Sequence, residues 1–196
     1  MVIFDATALL LLVAPQATTP KDSKGRLIRF AKERIDGEVK SLAKAKVKII
    51  IPTPALSEAF VRAGASAANA YLATIRKSGH FNIASFDERA AIEVALMTQA
   101  AIKKGSKKGG SDETWAKIKY DRQIVAIAKV NGANIIYTDD KSLSAFAFAQ
   151  GLRAISIGDL QVPPEAAQTT MDLEAQPTPA AIADPAKGED DEHPEA

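Results

Sequence analysis

Short apolar runs rich in β-branched residues alternate with longer, helix-like segments along the first 160 residues of the chain. The run at residues 47–51 is the clearest, with four β-branched residues in five. The segment before it, residues 25–46, places apolar residues at helical spacing and covers the opposite face with Lys and Arg. Parallel strands need such helical crossovers, so the alternation predicts an α/β domain with a central, mainly parallel sheet covered on both faces.

The remaining elements follow from the same alternation. Strands are predicted at four further runs, residues 2–4, 81–84, 134–138 and 152–157. Helices are predicted at residues 6–13, 53–63, 66–76, 85–103 and 115–130, with a short one from about residue 141. Two of these helices carry start signals: Thr53 stands before Pro54, and Ser85 and Glu88 have capping-box spacing.

The chain of 196 residues is long enough for one such domain and a short appendage. After residue 162 the composition changes to Pro, Ala, Thr and acids, which predicts a domain over residues 1–162 and a disordered acidic tail over residues 163–196. From Glu165 onward nine acids stand against one lysine, whereas residues 1–164 carry 24 basic and 15 acidic residues. The basic domain suggests a polyanionic partner, with solubility alone as the alternative.

Several classes of chemistry are excluded by composition. The absence of cysteine rules out disulfide frameworks, thiolate nucleophiles, iron–sulfur clusters and cysteine-bound zinc. With only His80 and His193, a histidine-rich metal site is not expected, so carboxylates, hydroxyls and amines must carry the chemistry. The apolar stretch at residues 6–14 follows Asp5, lacks a basic segment and is too short to span a membrane. We therefore expect a cytoplasmic protein without a membrane partner.

Acidic residues follow the predicted strands. Asp5 comes directly after residues 2–4, and Asp139 and Asp140 come directly after residues 134–138. Glu58 lies about one turn into the helix after residues 47–51. Ligands of open parallel sheets gather at the carboxyl ends of the strands, so we expect these acids at one edge.

Asp121 lies on the apolar face of its predicted helix. Its neighbours three, four and seven residues later are Ile124, Val125 and Ala128. Burying a lone carboxylate costs several kcal/mol unless a counter-charge is present, and no single Lys or Arg in the sequence obviously neutralises the converging acids. A divalent cation would, and oxygen-only ligands favour Mg²⁺ or Mn²⁺.

Each acid also has a purely structural interpretation. Asp139 or Asp140 could cap the helix that follows, and Glu58 could pair with Arg62 on the helix surface. Asp121 could face a helix dipole, and Asp5 could accept backbone hydrogen bonds. The convergence of all of them on one edge favours a site.

Two further features stay open. Trp115 is either a core or rim aromatic or a residue that stacks on nucleic acid. Residues 103–110 form either a phosphate-binding loop or a solvated linker.

These residues resemble the PIN-domain family, and within it the VapC-type toxins of bacterial toxin–antitoxin pairs. The matching segments are VIFDATALL with Asp5, IPTPALSEAF with Glu58, and KYDRQIVAIAKVNGANIIYTDDKSL with Asp121 and residues 138–140. The resemblance covers residues 1–160. It implies a three-layer α/β/α PIN-like fold, a Mg²⁺ or Mn²⁺ pocket, endonucleolytic RNA cleavage, a cognate antitoxin and a homodimer.

The resemblance also assigns roles to individual residues. The four catalytic, metal-binding acids are Asp5, Glu58, Asp121 and Asp140, with Asp139 as an auxiliary or outer metal ligand. Thr7 and Thr138 match hydroxyl positions that line the site. Apart from the resemblance, electrostatics suggests that basic residues of the segment 25–46 and the lysines Lys103, Lys104, Lys107 and Lys108 would hold the RNA backbone. Residues 103–114 and the acidic tail depart from the family pattern.

Two other functions are compatible with the sequence. A phosphatase or phosphotransferase of the haloacid-dehalogenase type would use Asp5 as nucleophile, but its Asp-x-Asp motif would need an acid where Thr7 stands. A non-catalytic PIN-like module would bind RNA or a partner protein, with acids that are partly structural. Hydrolysis by water, which the resemblance favours, would leave a 5′-phosphate.

Overall fold

The computed structural model describes residues 1–14, 18–22 and 24–167, and of residues 65–67 only the backbone. Its centre is a five-stranded sheet in the order β3-β2-β1-β4-β5, in which every adjacent pair is parallel. The strands are β1 (Val2–Phe4), β2 (Ile49–Pro52), β3 (Phe81–Ala84), β4 (Ile135–Tyr137) and β5 (Arg153–Ile155). The predicted parallel sheet is confirmed.

The helices occupy the crossovers between these strands. They are α1 (Ala6–Val13), α2 (Ala31–Lys44), α3 (Thr53–Ala63), α4 (Ala65–Lys77), α5 (Glu88–Lys103), α6 (Trp115–Val130) and α7 (Lys141–Ala149). None of the helices in the described ranges is long and apolar enough to cross a membrane. Helix α2 begins six residues later than predicted, because Phe30 takes a left-handed backbone conformation (φ 57°) that ends the preceding turn.

Two helix starts differ from the sequence prediction. The N-cap of α5 is Asp87, whose carboxylate accepts a 2.9 Å hydrogen bond from the Ala90 N–H, and not Ser85. The N-cap of α3 is Pro52 and not Thr53. The Thr53 hydroxyl accepts a 3.2 Å hydrogen bond from the Phe86 N–H and does not cap its own helix. Thr53 therefore ties the start of α3 to the β3–α5 connection.

The core is divided by the sheet into two layers. On one face Ile3 of β1 packs with Ile50, Ile136 and residues of α3, α5, α6 and α7. On the other face Val2 and Phe4 pack with residues of α2 and of the 3-10 turn Ile157–Asp159. Alternate β1 side chains thus point to opposite helical layers, as the pleat of a doubly covered strand requires. The architecture is three-layered, α/β/α.

The end of the described chain lies against α2. Residues 164–167 form a helical turn, and a Cβ added at Gly37 would come 2.9 Å from the Pro163 ring. Glycine is therefore required at this position of α2 for close approach. Of the predicted tail, residues 163–167 belong to this described end, and residues 168–196 lie outside the described residues.

Removing residues 168–196 should leave the thermal stability of the domain nearly unchanged. This segment contains only three large apolar residues, Met171, Leu173 and Ile182, so little hydrophobic stabilisation can depend on it. We expect Tm to change by less than about 2 °C in differential scanning calorimetry. A chain ending at Val162, which also loses the Pro163 contact, should melt earlier. A fall of about 5 °C or more for the 1–167 chain would mean that the tail packs on the domain.

Candidate active site

A cavity of about 460 Å³ opens at the carboxyl edge of the sheet, between α1, α3, α6 and α7. The four acids Asp5, Glu58, Asp121 and Asp140 all line it, together with Thr7. They come from four separate places: the end of β1, α3, α6 and the start of α7. The central strands β1 and β4 are neighbours whose crossovers leave in opposite directions, which is where open α/β sheets form their ligand crevice.

Asp5 is the most buried of these acids, with 4% of its surface exposed. Its Oδ1 accepts a 2.9 Å hydrogen bond from the Ala8 N–H and so caps α1. Burial raises the pKa of Asp5 to about 7, against the lowering effect of the Ala8 and Thr138 hydrogen bonds. The charges of Asp139 and Glu58 raise the pKa further. Asp5 thus caps α1 and lines the cavity, and burial makes the negative charge of its carboxylate unfavourable.

Asp121 reaches the cavity from the second turn of α6. Its carboxylate accepts a 2.9 Å hydrogen bond from the Ser142 hydroxyl and lies 3.4 Å from the Lys117 Nζ. Burial raises the pKa of Asp121, while Lys117 and Ser142 oppose the shift. The position of this carboxylate is therefore fixed by contacts within α6 and to α7.

Asp140 divides its two carboxylate oxygens between two roles. Oδ1 accepts hydrogen bonds from the Ser142 and Leu143 N–H groups, at 2.9 and 3.0 Å, and caps α7. Oδ2 accepts a 2.5 Å bond from the Lys117 Nζ. Burial alone would raise the pKa of Asp140, but the bonds from Lys117 and the helix N-terminus hold it below its usual value. The capping role and the site role are compatible in one residue.

Asp139 does not line the cavity. Its Oδ1 accepts bonds from the Ser156 hydroxyl and the Ile157 N–H, at 2.5 and 3.1 Å, so it holds the turn after β5. Burial raises the pKa of this carboxyl. Consecutive residues after a strand point to opposite sides, which is why Asp140 faces the cavity and Asp139 does not. Thr138 also stays behind the cavity wall, where its hydroxyl accepts a 3.1 Å bond from the Asp140 N–H.

Glu58 is the most open of the four acids. Its side chain is 53% exposed and lies 3.7 Å from the Arg62 guanidinium, one helical turn later. The surface pairing considered from the sequence is therefore present, although such an exposed pair contributes little stability. Glu58 remains available to a ligand at the cavity mouth.

Lys117 is one of the site residues that the sequence prediction missed. It lines the cavity, contacts both Asp121 and Asp140, and its side chain is 31% exposed. Burial lowers the pKa of Lys117, but the bonds and charges of the two aspartates outweigh this and raise it. The expectation that no single Lys or Arg neutralises the converging acids did not foresee this pairing, in which one ammonium contacts two of the four carboxylates. The available signal was the spacing, because Lys117 precedes Asp121 by four residues on one helix.

The donor chemistry of the cavity suits a hard divalent cation. The charged oxygen donors of the cavity are the carboxylates of its four acids. Among the ion pairs of the described residues, none involves the buried Asp5. Oxygen donors without His or Cys match Mg²⁺ or Mn²⁺. In their present positions, however, no three Asp, Glu, His or Cys side chains of the described ranges lie close enough together to hold a metal ion.

The lysine-rich connection after α5 does not line the cavity. Lys103 and Lys104 are exposed at the end of α5. The Lys107 carbonyl accepts a 2.6 Å bond from the Arg122 guanidinium, and the Lys107 Nζ lies 5.0 Å from the Trp115 ring centre. Neither these lysines nor Lys108 lines the cavity.

Arg122 anchors this connection to α6. It is 2% exposed, donates a 2.8 Å bond to the Thr98 hydroxyl, and stacks against Trp115 at 5.3 Å. Trp115 is thus a half-buried aromatic side chain whose ring contacts two cations, Lys107 and Arg122. Asp121 and Arg122 are consecutive residues that point to the cavity and to the lysine-rich connection, respectively.

Comparison with known proteins bears on the fold. No family model matches the sequence, and no curated protein matches it. VapBC2 from Rickettsia felis, solved with a DNA fragment from its promoter, matches 80% of this chain and 98% of its own, with TM-score 0.52 and 13% identity. DNA-bound VapBC from Salmonella typhimurium matches 80% of this chain and 97% of its own, with TM-score 0.50 and 17% identity.

At this level of identity the likeness establishes the fold. The chain has the three-layer α/β/α PIN-like fold of the VapC structures, as the sequence resemblance predicted. The matches extend over most of both chains.

Proposed function

We propose that this protein is a Mg²⁺- or Mn²⁺-dependent endoribonuclease and the toxin of a toxin–antitoxin pair. The observation that carries the proposal is the convergence of Asp5, Glu58, Asp121 and Asp140 on one cavity. Asp5 and Asp140 also cap helices, but capping does not require the four carboxylates to meet at one cavity, and burial without a cation is unfavourable for Asp5, whose pKa it raises. The likeness in fold to the VapC structures supports the same function.

The four acids would hold the cation, and the rest of the wall would place the RNA. When bound, Mg²⁺ or Mn²⁺ supplies positive charge for the phosphodiester and lowers the pKa of a coordinated water. Asp140 is held in place by its bonds to α7, and Asp121 by Ser142, so two carboxylates are preorganised. The Thr7 hydroxyl, which lines the cavity wall, would hydrogen-bond a phosphate oxygen. Attack by water leaves a 5′-phosphate on the product.

RNA as the substrate is supported by charge and by an aromatic side chain at the cavity. Residues 1–164 carry nine more basic than acidic residues, which favours a polyanion. Tyr120 lines the cavity next to Asp121 in the sequence and is 49% exposed, and Val61, which also lines the cavity, is 81% exposed. An exposed ring beside a phosphate site gives an unpaired base a surface for stacking.

Tyr120→Ala should weaken the binding of single-stranded RNA, because it removes the stacking surface and leaves the acids in place. We expect an increase in Kd of about tenfold, the loss of one stacked base. Fluorescence anisotropy in EDTA, which prevents cleavage, measures this directly. Tyr120→Phe keeps the ring and is the matched control. Equal affinity of the alanine variant and the parent protein would place the RNA elsewhere.

The proposed biological role adds two protein partners: a cognate antitoxin, and a second copy of the chain in a homodimer. The Rickettsia and Salmonella structures are both VapBC complexes with DNA. In this chain α5 presents Ile92 and Leu96 with 55% and 54% of their surfaces exposed, and such exposed apolar side chains suit burial against a partner protein.

Expression of the chain alone should arrest bacterial growth, and co-expression of a neighbouring gene should relieve the arrest. Normal growth with active enzyme present would contradict the toxin role.

The decisive experiment is cleavage of a labelled RNA with Mg²⁺, with Mn²⁺ and with EDTA, followed by analysis of the product ends. We expect internal cuts with either metal, 5′-phosphate products and no cuts in EDTA. Cleavage that persists in EDTA would contradict metal dependence. Binding without cleavage under both metals would instead favour the non-catalytic PIN-like module.

A further inference from the structure

We propose that Lys117 is a built-in counter-ion of the active site, which holds Asp121 and Asp140 together without metal and competes with the divalent cation for them. The inference rests on the proposed function, since it concerns the same carboxylates. It assigns Lys117 a role in setting metal affinity, as a positioning residue and not as a ligand.

The geometry places the Lys117 ammonium between two elements. Its Nζ lies 2.5 Å from Asp140 Oδ2 at the start of α7 and 3.4 Å from Asp121 Oδ1 on its own helix. The Ser142 hydroxyl completes the link by donating to Asp121 Oδ2. One lysine thus joins the Asp121 carboxylate of α6 to the Asp140 carboxylate at the start of α7. The Lys117 side chain is about two-thirds buried.

The charges explain why such a lysine would be needed. Asp121 has 11% of its side chain exposed, and apart from Lys117 no other basic residue in the described ranges is paired with either aspartate. Removing one partner of a buried charge cluster leaves the remaining charges uncompensated, which is strongly unfavourable. The lysine therefore stabilises the metal-free site.

The same charges imply competition. One ammonium leaves the pair Asp121 and Asp140 with a net negative charge, and Asp5 and Glu58 add to it. A divalent cation bound to these oxygens would lie close to the positive charge of Lys117 and would be repelled by it. The cation and the ammonium therefore cannot both occupy these positions without cost. Metal binding must then break or lengthen the contact between Lys117 and Asp140, and that cost lowers the affinity for metal.

The chain offers a matched control two residues further along. Lys119 is on the same helix, is exposed, and makes no ion pair among those of the described residues. Lys117→Met and Lys119→Met make the same chemical change at the cavity and away from it. Lys117→Gln removes the charge but keeps a hydrogen-bond donor, and Lys117→Arg keeps the charge.

The test is titration calorimetry with Mn²⁺ alone, without RNA, together with melting curves in EDTA. We expect Lys117→Met and Lys117→Gln to bind Mn²⁺ at least about tenfold more tightly than the parent, because the repelling charge is gone. Both should melt earlier than the parent in EDTA. Lys119→Met and Lys117→Arg should stay within about threefold of the parent in Kd. Should the methionine variant not fold, the glutamine variant carries the same comparison.

The outcomes separate this inference from the proposed function. Mn²⁺ binding by the parent with unchanged or weaker binding by both neutral Lys117 variants would overturn the counter-ion role and leave the nuclease proposal standing. Binding by the neutral variants alone would support the inference strongly. The absence of Mn²⁺ binding from all of these proteins would overturn both.

Discussion

Replacement of Asp5 or Asp121 by Asn is expected to reduce RNA cleavage by more than about a hundredfold while the fold is retained, since even outer partners of a metal site cost 10–100-fold when mutated. Asparagine keeps the shape of each side chain. In Asp5→Asn the amide oxygen can still accept the Ala8 N–H bond, so α1 remains capped. What is lost is the negative charge that the proposed metal requires. Cleavage rates under single-turnover conditions, with circular dichroism for the fold, measure both effects.

Asp87→Asn is the matched control for this experiment. Asp87 caps α5 through the Ala90 N–H at 2.9 Å, as Asp5 caps α1, but it does not line the cavity. The control variant should cleave RNA at the parent rate. Near-parent activity in both Asp5→Asn and Asp121→Asn would show that these acids have structural roles only, as would loss of folding in both.

The stability of the metal-free protein should fall as the pH rises from about 4 to about 7, and Asp5→Asn should remove much of this dependence. The folded protein holds the pKa of Asp5 at about 7, against 3.8 for an unperturbed aspartate. Between these values the folded state binds more protons than the unfolded state, so raising the pH favours unfolding. At pH 8 the charge is fully present and unfavourable in the native state.

We therefore expect Asp5→Asn to be more stable than the parent at pH 8 in EDTA, by about 2–4 kcal/mol, and close to it at low pH. Urea unfolding at several pH values measures this difference. Asp121 and Asp139, whose pKa values are also raised by burial, act in the same direction and Asp140 in the opposite one, so the comparison with the parent isolates Asp5. Asp87→Asn should show no such gain. A variant less stable than the parent at pH 8 would contradict the buried-charge account.

The sheet and most of the helices were predictable from the sequence because their signals are local. Buried parallel strands need continuous apolar runs, and residues 47–51 show one. The boundaries were less predictable where two residues could serve the same purpose. Asp87 and Ser85 are both acceptable caps, and only the path of the chain from β3 selects Asp87.

The site was predictable as a set of acids but not in its contacts. The topology brings the strand ends together, so Asp5 and Asp140 could be placed at one edge. Whether Asp139 or Asp140 faces the cavity depends on the turn after β4, and the sequence left that open. The bond from Lys117 to Asp140 crosses 23 positions between two helices, and no periodicity encodes such a contact.

The spread of the four acids along the chain has a consequence during protein synthesis. Asp5 is made first, but its partners are Glu58, Asp121 and Asp140, and the last of these is fixed only when α7 forms behind it. Domains are completed from the N-terminus as the ribosome advances. A nascent chain that stops before α7 has no complete site. If the protein cuts RNA, the message being translated is exposed to the enzyme only after nearly the whole domain has emerged.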